Sequence, residues 1–133
     1  MNKYLATYAA TALVLFMLDV LWIGGLAKSM YQEGIGHLMA EQPRLGVAAL
    51  FYALYPVGLL VFVVAPRGVT DGWSVTLVHA ALFGLVAYAT YDLTNLATLK
   101  GWPVGLAILD MAWGCVASCA ASAAGKLAFQ RFA

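Results

Sequence analysis

The chain has 133 residues, of which 64% are hydrophobic and only 10% are charged, whereas a soluble domain is about a quarter charged and near half apolar. Too little polar surface is present to cover a globule in water, so the composition excludes an ordinary soluble domain and indicates an integral membrane protein. The net charge of +1 gives no indication of a nucleic-acid partner or of an acidic substrate selected by bulk electrostatics.

Four segments are apolar enough to cross a membrane, which takes about 20 residues because a helix rises about 1.5 Å per residue. They cover residues of about 4–27, 45–64, 74–99 and 104–129. The connections between the last three segments are short, so neighbouring helices are expected to run antiparallel. The sequence therefore predicts an all-α fold, a four-helix transmembrane bundle of up-down-up-down topology that forms a single integral membrane domain over residues 1–133.

The first segment also shares features with a secretory signal peptide. Lys3 precedes an apolar run, and Gly25-Leu26-Ala27 has the small residues of a cleavage site. The run is too long for a signal peptide, however, and it carries Asp19 and Trp22. We therefore expect this segment to be the first span.

The cationic residues predict an orientation in the membrane. We call the membrane face at the N-terminus side A and the opposite face side B. Side A receives Lys3, Arg67, Lys126 and Arg131, and side B receives Lys28, Arg44 and Lys100. The positive-inside rule then predicts that both termini are cytoplasmic. The longest connection, residues 28–44, contains scattered apolar residues and is expected to form a short interfacial helix over the side-B end of the bundle.

Three of the six acidic residues, Asp19, Asp92 and Asp110, fall inside spans. A mid-span aspartate costs about 2.5 to 3.5 kcal/mol to insert, so such residues are functional candidates that face the bundle interior or a wet cavity. From the helical rise, Asp19 lies roughly 22 Å from side A and Asp110 roughly 9 Å from side B. In a hydrocarbon core of about 30 Å these depths nearly coincide.

The sequence therefore predicts a pocket in the side-B half of the bilayer that binds a ligand. Its predicted residues are Asp19, Trp22, Tyr52, Tyr55, Tyr88, Tyr91, Asp92, Asn95, Asp110 and Trp113. His37 lies in the side-B connection, where it could either cover the pocket as a lid or remain solvated. No Lys or Arg lies at mid-span, so at least one aspartate is expected to be protonated at neutral pH. That state allows proton coupling or donation from a neutral acid to a ligand oxygen.

Other polar and small residues have simpler interpretations. The aspartates could instead hydrogen-bond between helices and hold the bundle together. Cys115 and Cys119 are expected to be packing residues, His79 is expected to pack or to lie at the interface, and no ligand spacing indicates a metal site. The edge formed by Gly114, Ser118, Ser122 and Gly125 indicates close helix packing, either within the bundle or between protomers of a homo-oligomer.

One run of the sequence resembles a known family. The run is Tyr88-Ala89-Thr90-Tyr91-Asp92-Leu93-Thr94-Asn95-Leu96-Ala97-Thr98-Leu99-Lys100 with Trp102-Pro103. Further similar positions are Leu18-Asp19 with Trp22 and Gly24, Gly36-His37-Leu38, Phe51-Tyr52 with Tyr55, and Asp110 with Trp113-Gly114. They resemble the bacterial membrane proteins grouped as domain of unknown function 2177 (DUF2177). The resemblance covers nearly the whole chain and implies a four-span protein of a bacterial membrane, expected to be the inner membrane, but no particular activity or cofactor.

Three functions fit these observations. The first, which we expect, is binding or transport of a small lipophilic or lipid-like molecule in the aromatic, carboxyl-lined pocket. The second is a membrane enzyme that modifies a lipid by aspartate acid–base chemistry, for which no activated nucleophile is evident in the sequence. The third is a structural accessory subunit whose polar residues only join helices. The lipid bilayer is the one partner that all three share.

Overall fold

The computed structural model describes residues 2–67 and 72–133, and these residues are helical almost throughout. The helical segments are Lys3–Leu21, Trp22–Leu26, Lys28–Ile35, Gly36–Leu38, Leu45–Leu59, Leu60–Val64, Ala65–Arg67, Trp73–Thr98 and Val104–Arg131. The helices that are long and apolar enough to span a membrane are Lys3–Leu26 (span 1), Leu45–Val64 (span 2), Trp73–Thr98 (span 3) and Val104–Arg131 (span 4). The described part of the chain contains no strand, and the predicted all-α, four-helix membrane bundle is confirmed.

Local chemistry explains where the spans begin and end. The Asn2 side chain accepts a hydrogen bond from the Tyr4 backbone N–H at 2.7 Å and so caps the start of span 1. Spans 1 and 2 both end in a wider π-helical turn. Span 2 continues through Pro56, whose missing N–H weakens the helix one turn before its π-helical turn begins. Gly101 has φ +73° in the tight connection between spans 3 and 4, a conformation that favours glycine.

Span 4 is the central helix of the bundle. In its most apolar stretch 39% of the residues are buried, against 17% to 22% in the other spans. Its small residues allow this close packing, because a Cβ on Gly84 of span 3 would overlap the backbone carbonyl of Gly114. A Cβ on Gly125 would likewise overlap the Thr11 hydroxyl of span 1. Spans 3 and 1 therefore pack on two faces of span 4.

The small-residue edge predicted on span 4 lies inside the bundle. Gly114, Ser118, Ser122 and Gly125 are all buried within this one chain. Of the two interpretations of this edge, the structure selects packing within the bundle, and the edge is not accessible to a second protomer. The physical reason is that three other helices need close access to the central one, and only small side chains allow it.

Span 2 packs less closely than the others. Tyr8 of span 1 donates a hydrogen bond to the Ala53 carbonyl at 2.8 Å, and Phe83 of span 3 fits against Gly58, where a Cβ would lie 2.8 Å from the ring. Close backbone contact between spans 2 and 3 occurs at the π-helical end, residues 60–64. Toward side B the two helices meet through side chains, which leaves a cleft between them.

Both ends of the bundle are closed by short-range contacts. At side B the helix Lys28–Ile35 lies over spans 1 and 4, and a Cβ on Gly34 would lie 3.1 Å from Pro103. At side A the Lys126 ammonium is fully buried and donates to the Thr76 hydroxyl at 2.6 Å. It also lies 5.2 Å from the centroid of the Trp73 ring. Lys126 therefore belongs to the packed interior at the side-A end of the bundle.

Candidate functional site

The four spans and the connecting helix surround a cavity of about 380 Å³ in the side-B half of the bundle, which we call the chamber. Its lining residues are Asp19, Ile23, Tyr31, Phe51, Tyr52, Tyr55, Ala87, Tyr88, Tyr91 and Asp110. Each span contributes at least one of them, so the chamber exists only when all four helices are assembled.

Asp19 joins three spans at the base of the chamber. Its Oδ2 accepts a hydrogen bond from the Tyr52 hydroxyl of span 2 at 2.7 Å. Its Oδ1 accepts one from the Trp113 indole N–H of span 4 at 2.8 Å. The side chain is only 5% exposed, and both carboxylate oxygens have donors. Asp19 is therefore a satisfied, interhelical group as well as a part of the chamber wall.

Asp110 is the acceptor at the end of a chain of hydrogen bonds. The Trp22 indole N–H donates to the Tyr31 hydroxyl at 3.1 Å, and Tyr31 donates to Asp110 Oδ1 at 2.5 Å. Tyr31 lies in the connecting helix Lys28–Ile35, outside the spans. Burial and the hydrogen bond to Asp110 raise the pKa of Tyr31 well above its usual range. Its phenol therefore stays protonated and continues to donate at alkaline pH.

The two D-x-x-W segments form a crossed pair behind the chamber. The rings of Trp22 and Trp113 stack with centroids 4.3 Å apart and planes 2° apart. Each indole is linked by hydrogen bonds to the aspartate of the other segment. Trp113 of span 4 donates directly to Asp19 of span 1, and Trp22 of span 1 is linked to Asp110 of span 4 through Tyr31. The tryptophans thus orient the two acidic residues and do not line the cavity themselves.

Asp92 is placed differently from the other two aspartates. It is fully buried, and neither carboxyl oxygen has a hydrogen-bond partner among the described residues. Its carboxyl lies close enough to that of Asp110 for the two to interact. Asp92 does not line the chamber, and its carboxyl is a neighbour of the Asp110 carboxyl outside the lining.

Aromatic side chains form most of the remaining wall. The Tyr55 hydroxyl lies 2.8 Å from Ser118 Oγ, and the ring of Tyr55 meets that of Tyr88 edge to face, with centroids 6.1 Å apart. Tyr88 in turn packs against Gly114, where a Cβ would overlap its ring. Tyr91 packs edge to face on Trp102, with centroids 5.6 Å apart. These contacts fix the ring positions, so the wall is preformed.

The chamber opens toward the surrounding bilayer. Ile23, Phe51 and Tyr91 at its rim are 47%, 40% and 49% exposed. Beside it, an apolar cleft of about 450 Å³ runs between spans 2 and 3, and we call this cleft the furrow. Its lining residues are Leu54, Tyr55, Val57, Gly58, Val61, Phe62, Phe83 and Ala87. Tyr55 and Ala87 line both cavities, so the chamber with its carboxyl and phenol groups adjoins an apolar, lipid-facing furrow.

The predicted site residues therefore divide into groups. Six of them line the chamber, namely Asp19, Tyr52, Tyr55, Tyr88, Tyr91 and Asp110. Trp22, Trp113 and Asp92 lie behind its wall, while Asn95 is half-buried and outside the lining. His37 is exposed in the turn Gly36–Leu38 and also lies outside the lining. Within residues 2–67 and 72–133, no group of three or more His, Cys, Asp or Glu side chains could hold a metal ion.

Sequence reasoning missed Tyr31, Ile23, Phe51 and Ala87 as chamber residues, and Ser118 as the partner of Tyr55. Tyr31 had a usable signal, because the connection that carries it was expected to lie over the side-B end of the bundle. The apolar residues had none, since nothing in an apolar span distinguishes a side chain that faces a cavity from one that faces lipid.

Fold and site together define an integral membrane four-helix bundle that encloses a polar, aromatic chamber. The model of the family described as predicted membrane protein (DUF2177) matches residues 4–127, and the chain belongs to this family. Comparison with curated proteins and with solved structures found no match.

Proposed function

We propose that the protein binds, and in the membrane passes on, a small lipophilic molecule whose polar group occupies the chamber and whose apolar part lies in the furrow. The observation that carries this proposal is that the two cavities adjoin at Tyr55 and Ala87. A cavity with carboxyl and phenol groups beside an apolar cleft fits an amphiphile that enters from the bilayer. The volumes of about 380 Å³ and 450 Å³ lie within the range of about 300 to 1,000 Å³ that ligand pockets occupy.

Acid–base modification of a lipid is the second candidate, because Asp19 and Asp110 line one cavity. A catalytic pair would need one carboxyl that can accept a proton from a substrate. Asp19 is poorly suited to that task because Tyr52 and Trp113 already donate to both of its oxygens. Of these two residues, only Asp110 keeps a carboxyl oxygen without a donor in the described structure, so they do not form the acid–base pair that this function needs.

A purely structural role accounts for Asp19 but not for the rest of the site. Joining helices does not need a preformed cavity to which all four spans contribute side chains. Binding a ligand does need such a cavity.

The membrane and the orientation are part of the proposal. We place the protein in a bacterial inner membrane with side A, and hence both termini, in the cytoplasm. The excess of Lys and Arg on side A supports this orientation. Reporter fusions to the C-terminus that are active only in the cytoplasm or only outside it test the orientation directly.

The binding proposal is tested by filling the junction of the two cavities. In the Ala87→Trp variant the indole would enlarge a side chain that lines both the chamber and the furrow. Ala112→Trp, on an exposed position of span 4 two residues from Asp110, is the matched control. Dodecyl amphiphiles with different head groups are added to the protein in phosphatidylcholine nanodiscs, and the melting temperature is measured.

At least one probe should raise the melting temperature of the wild type and of Ala112→Trp, and none should raise that of Ala87→Trp. Binding adds stability in proportion to occupancy, so the rise should saturate with probe concentration. The proposal is overturned if no probe raises the melting temperature of the wild type. It is equally overturned if both tryptophan variants respond as the wild type does.

A further inference from the structure

The ionisable groups that line the chamber are carboxyls and phenols, and none of them is basic. Tyr52 and Trp113 donate hydrogen bonds to Asp19, and Tyr31 donates one to Asp110. No Lys, Arg or His is among the residues that line the chamber. The Tyr88 and Tyr91 hydroxyls can still donate, but the lining offers no positive charge. A cationic head group would supply the charge that the carboxyls lack.

Asp110 is the acceptor that remains available. Its side chain is only 7% exposed and lines the chamber, and in the described structure only its Oδ1 accepts a hydrogen bond. The fully buried Asp92 carboxyl lies close to it. A cation that enters the chamber beside Asp110 would favour the ionised form of this carboxyl and balance its charge.

The chamber wall is also suited to a cation. It presents the rings of Phe51 and of five tyrosines, and an aromatic face attracts an ammonium group within about 6 Å of its centroid. The cation–π contacts described in this protein involve Lys3, Lys126 and Arg131, which lie toward side A. The aromatic faces of the chamber thus have no cation from the chain in their described contacts.

We propose that the chamber selects a lipophilic amine or quaternary ammonium compound, with its cationic head beside Asp110 and its alkyl part in the furrow. This inference rests on the proposed binding function and names its ligand class. Anionic heads are rejected because they would face the carboxyls of Asp19 and Asp110, and the lining has no Lys, Arg or His to supply a counter-charge. Zwitterionic lipid heads are disfavoured for the same reason, since a phosphate would enter beside the ammonium.

Five probes with the same dodecyl tail separate the head-group chemistries. They are dodecyltrimethylammonium, dodecylamine, dodecanol, dodecylphosphocholine and laurate. Each is titrated against wild-type protein in phosphatidylcholine nanodiscs, and the apparent Kd is read from the saturation of the melting-temperature shift. The response of Ala87→Trp is subtracted, which removes head-group effects on the nanodisc itself.

The two cationic probes should bind at least tenfold tighter than dodecanol, a difference of about 1.4 kcal/mol, and phosphocholine and laurate should bind more weakly still. In Asp110→Asn the preference for the cationic probes over dodecanol should fall toward unity while dodecanol still binds, which also shows that the variant is folded. Equal affinities for all five probes in the wild type would refute the selectivity and leave the binding function standing. Binding of none of the probes would refute the binding function itself, and tighter binding of laurate would reverse the inferred charge preference.

Discussion

Replacement of Asp19 by Ala and by Asn should have very different effects on stability. Ala removes the acceptor for both Tyr52 and Trp113. Asn has the same shape and keeps one carbonyl oxygen, which can turn toward the Trp113 indole N–H. Its amide group then faces the Tyr52 hydroxyl, which can rotate to accept. The indole N–H cannot accept a hydrogen bond, so only this one arrangement satisfies all three side chains.

The magnitude follows from these contacts. An unsatisfied buried donor costs about 1 to 3 kcal/mol, whereas an interhelical hydrogen bond in a membrane protein averages about 0.6 kcal/mol. With the indole left without an acceptor and the Tyr52 hydroxyl half-buried, Asp19→Ala should lower the free energy of unfolding by about 2 kcal/mol. Asp19→Asn should lower it by less than about 1 kcal/mol, because it keeps the hydrogen bond to Trp113.

Thermal unfolding in dodecyl maltoside, followed by tryptophan fluorescence, measures the difference. A change of 1 kcal/mol shifts the melting temperature of a domain of this size by roughly 4 °C. Asp19→Ala should therefore melt roughly 8 °C below the wild type. The melting temperature of Asp19→Asn should stay close to that of the wild type. Equal melting temperatures for Asp19→Ala and the wild type would refute the assignment of Asp19 as an interhelical tie. If Asp19→Asn lowers the melting temperature as much as Asp19→Ala does, the proposed orientation of the introduced amide is refuted.

Three further predictions use the same unfolding assay. Asp92→Asn should leave stability unchanged or raise it by up to about 1 kcal/mol, because the buried carboxyl has no donor in the described structure and an amide is less costly to bury. Gly114→Ala should cost about 2 kcal/mol by overlap with the Tyr88 ring, whereas Gly105→Ala, on the same helix with open space, should be neutral or stabilising. Tyr31→Phe should be less stable than the wild type at neutral pH. This difference should shrink above about pH 10, where the unfolded tyrosine ionises but the folded one, with its raised pKa, stays protonated.

Each of these predictions has a contradicting result. A marked loss of stability in Asp92→Asn would mean that this carboxyl makes a stabilising contact. Equal effects of the two glycine substitutions would argue against the tight approach of span 3 at Gly114. For Tyr31→Phe, a stability difference that grows above about pH 10 would contradict the sign derived above. Hydrogen exchange in Lys28–Ile35 should also rise in that variant, because Tyr31 is the tie between this helix and span 4.

The composition and hydropathy of the sequence were enough to identify the four spans and the membrane class of the protein. Transfer into lipid depends on the residues within one segment, so it can be read from the chain without tertiary contacts. The depths of Asp19 and Asp110 were also accessible, since a regular helical rise converts sequence position into distance. Both residues line the same chamber.

The rotation of each helix about its axis was not accessible from the sequence. The spans are apolar on nearly all sides, so no polar face indicates which residues point inward. Tyr88, Asp92 and Asn95 were all predicted to line the pocket, yet of these three only Tyr88 lines the chamber. The connecting helix likewise contributes Tyr31, which helical spacing within a span could not reveal.

The sequence alone thus determined the number of spans, their lengths and the presence of costly acidic groups at one depth. Only the tertiary structure decided that Asp19 is satisfied by Tyr52 and Trp113, that Asp92 has no donor in the described structure, and that the small-residue edge of span 4 is internal. Hydrophobic burial in lipid acts on each segment separately. Hydrogen-bond partners and cavities arise from contacts between helices, and those contacts are fixed only when the bundle packs.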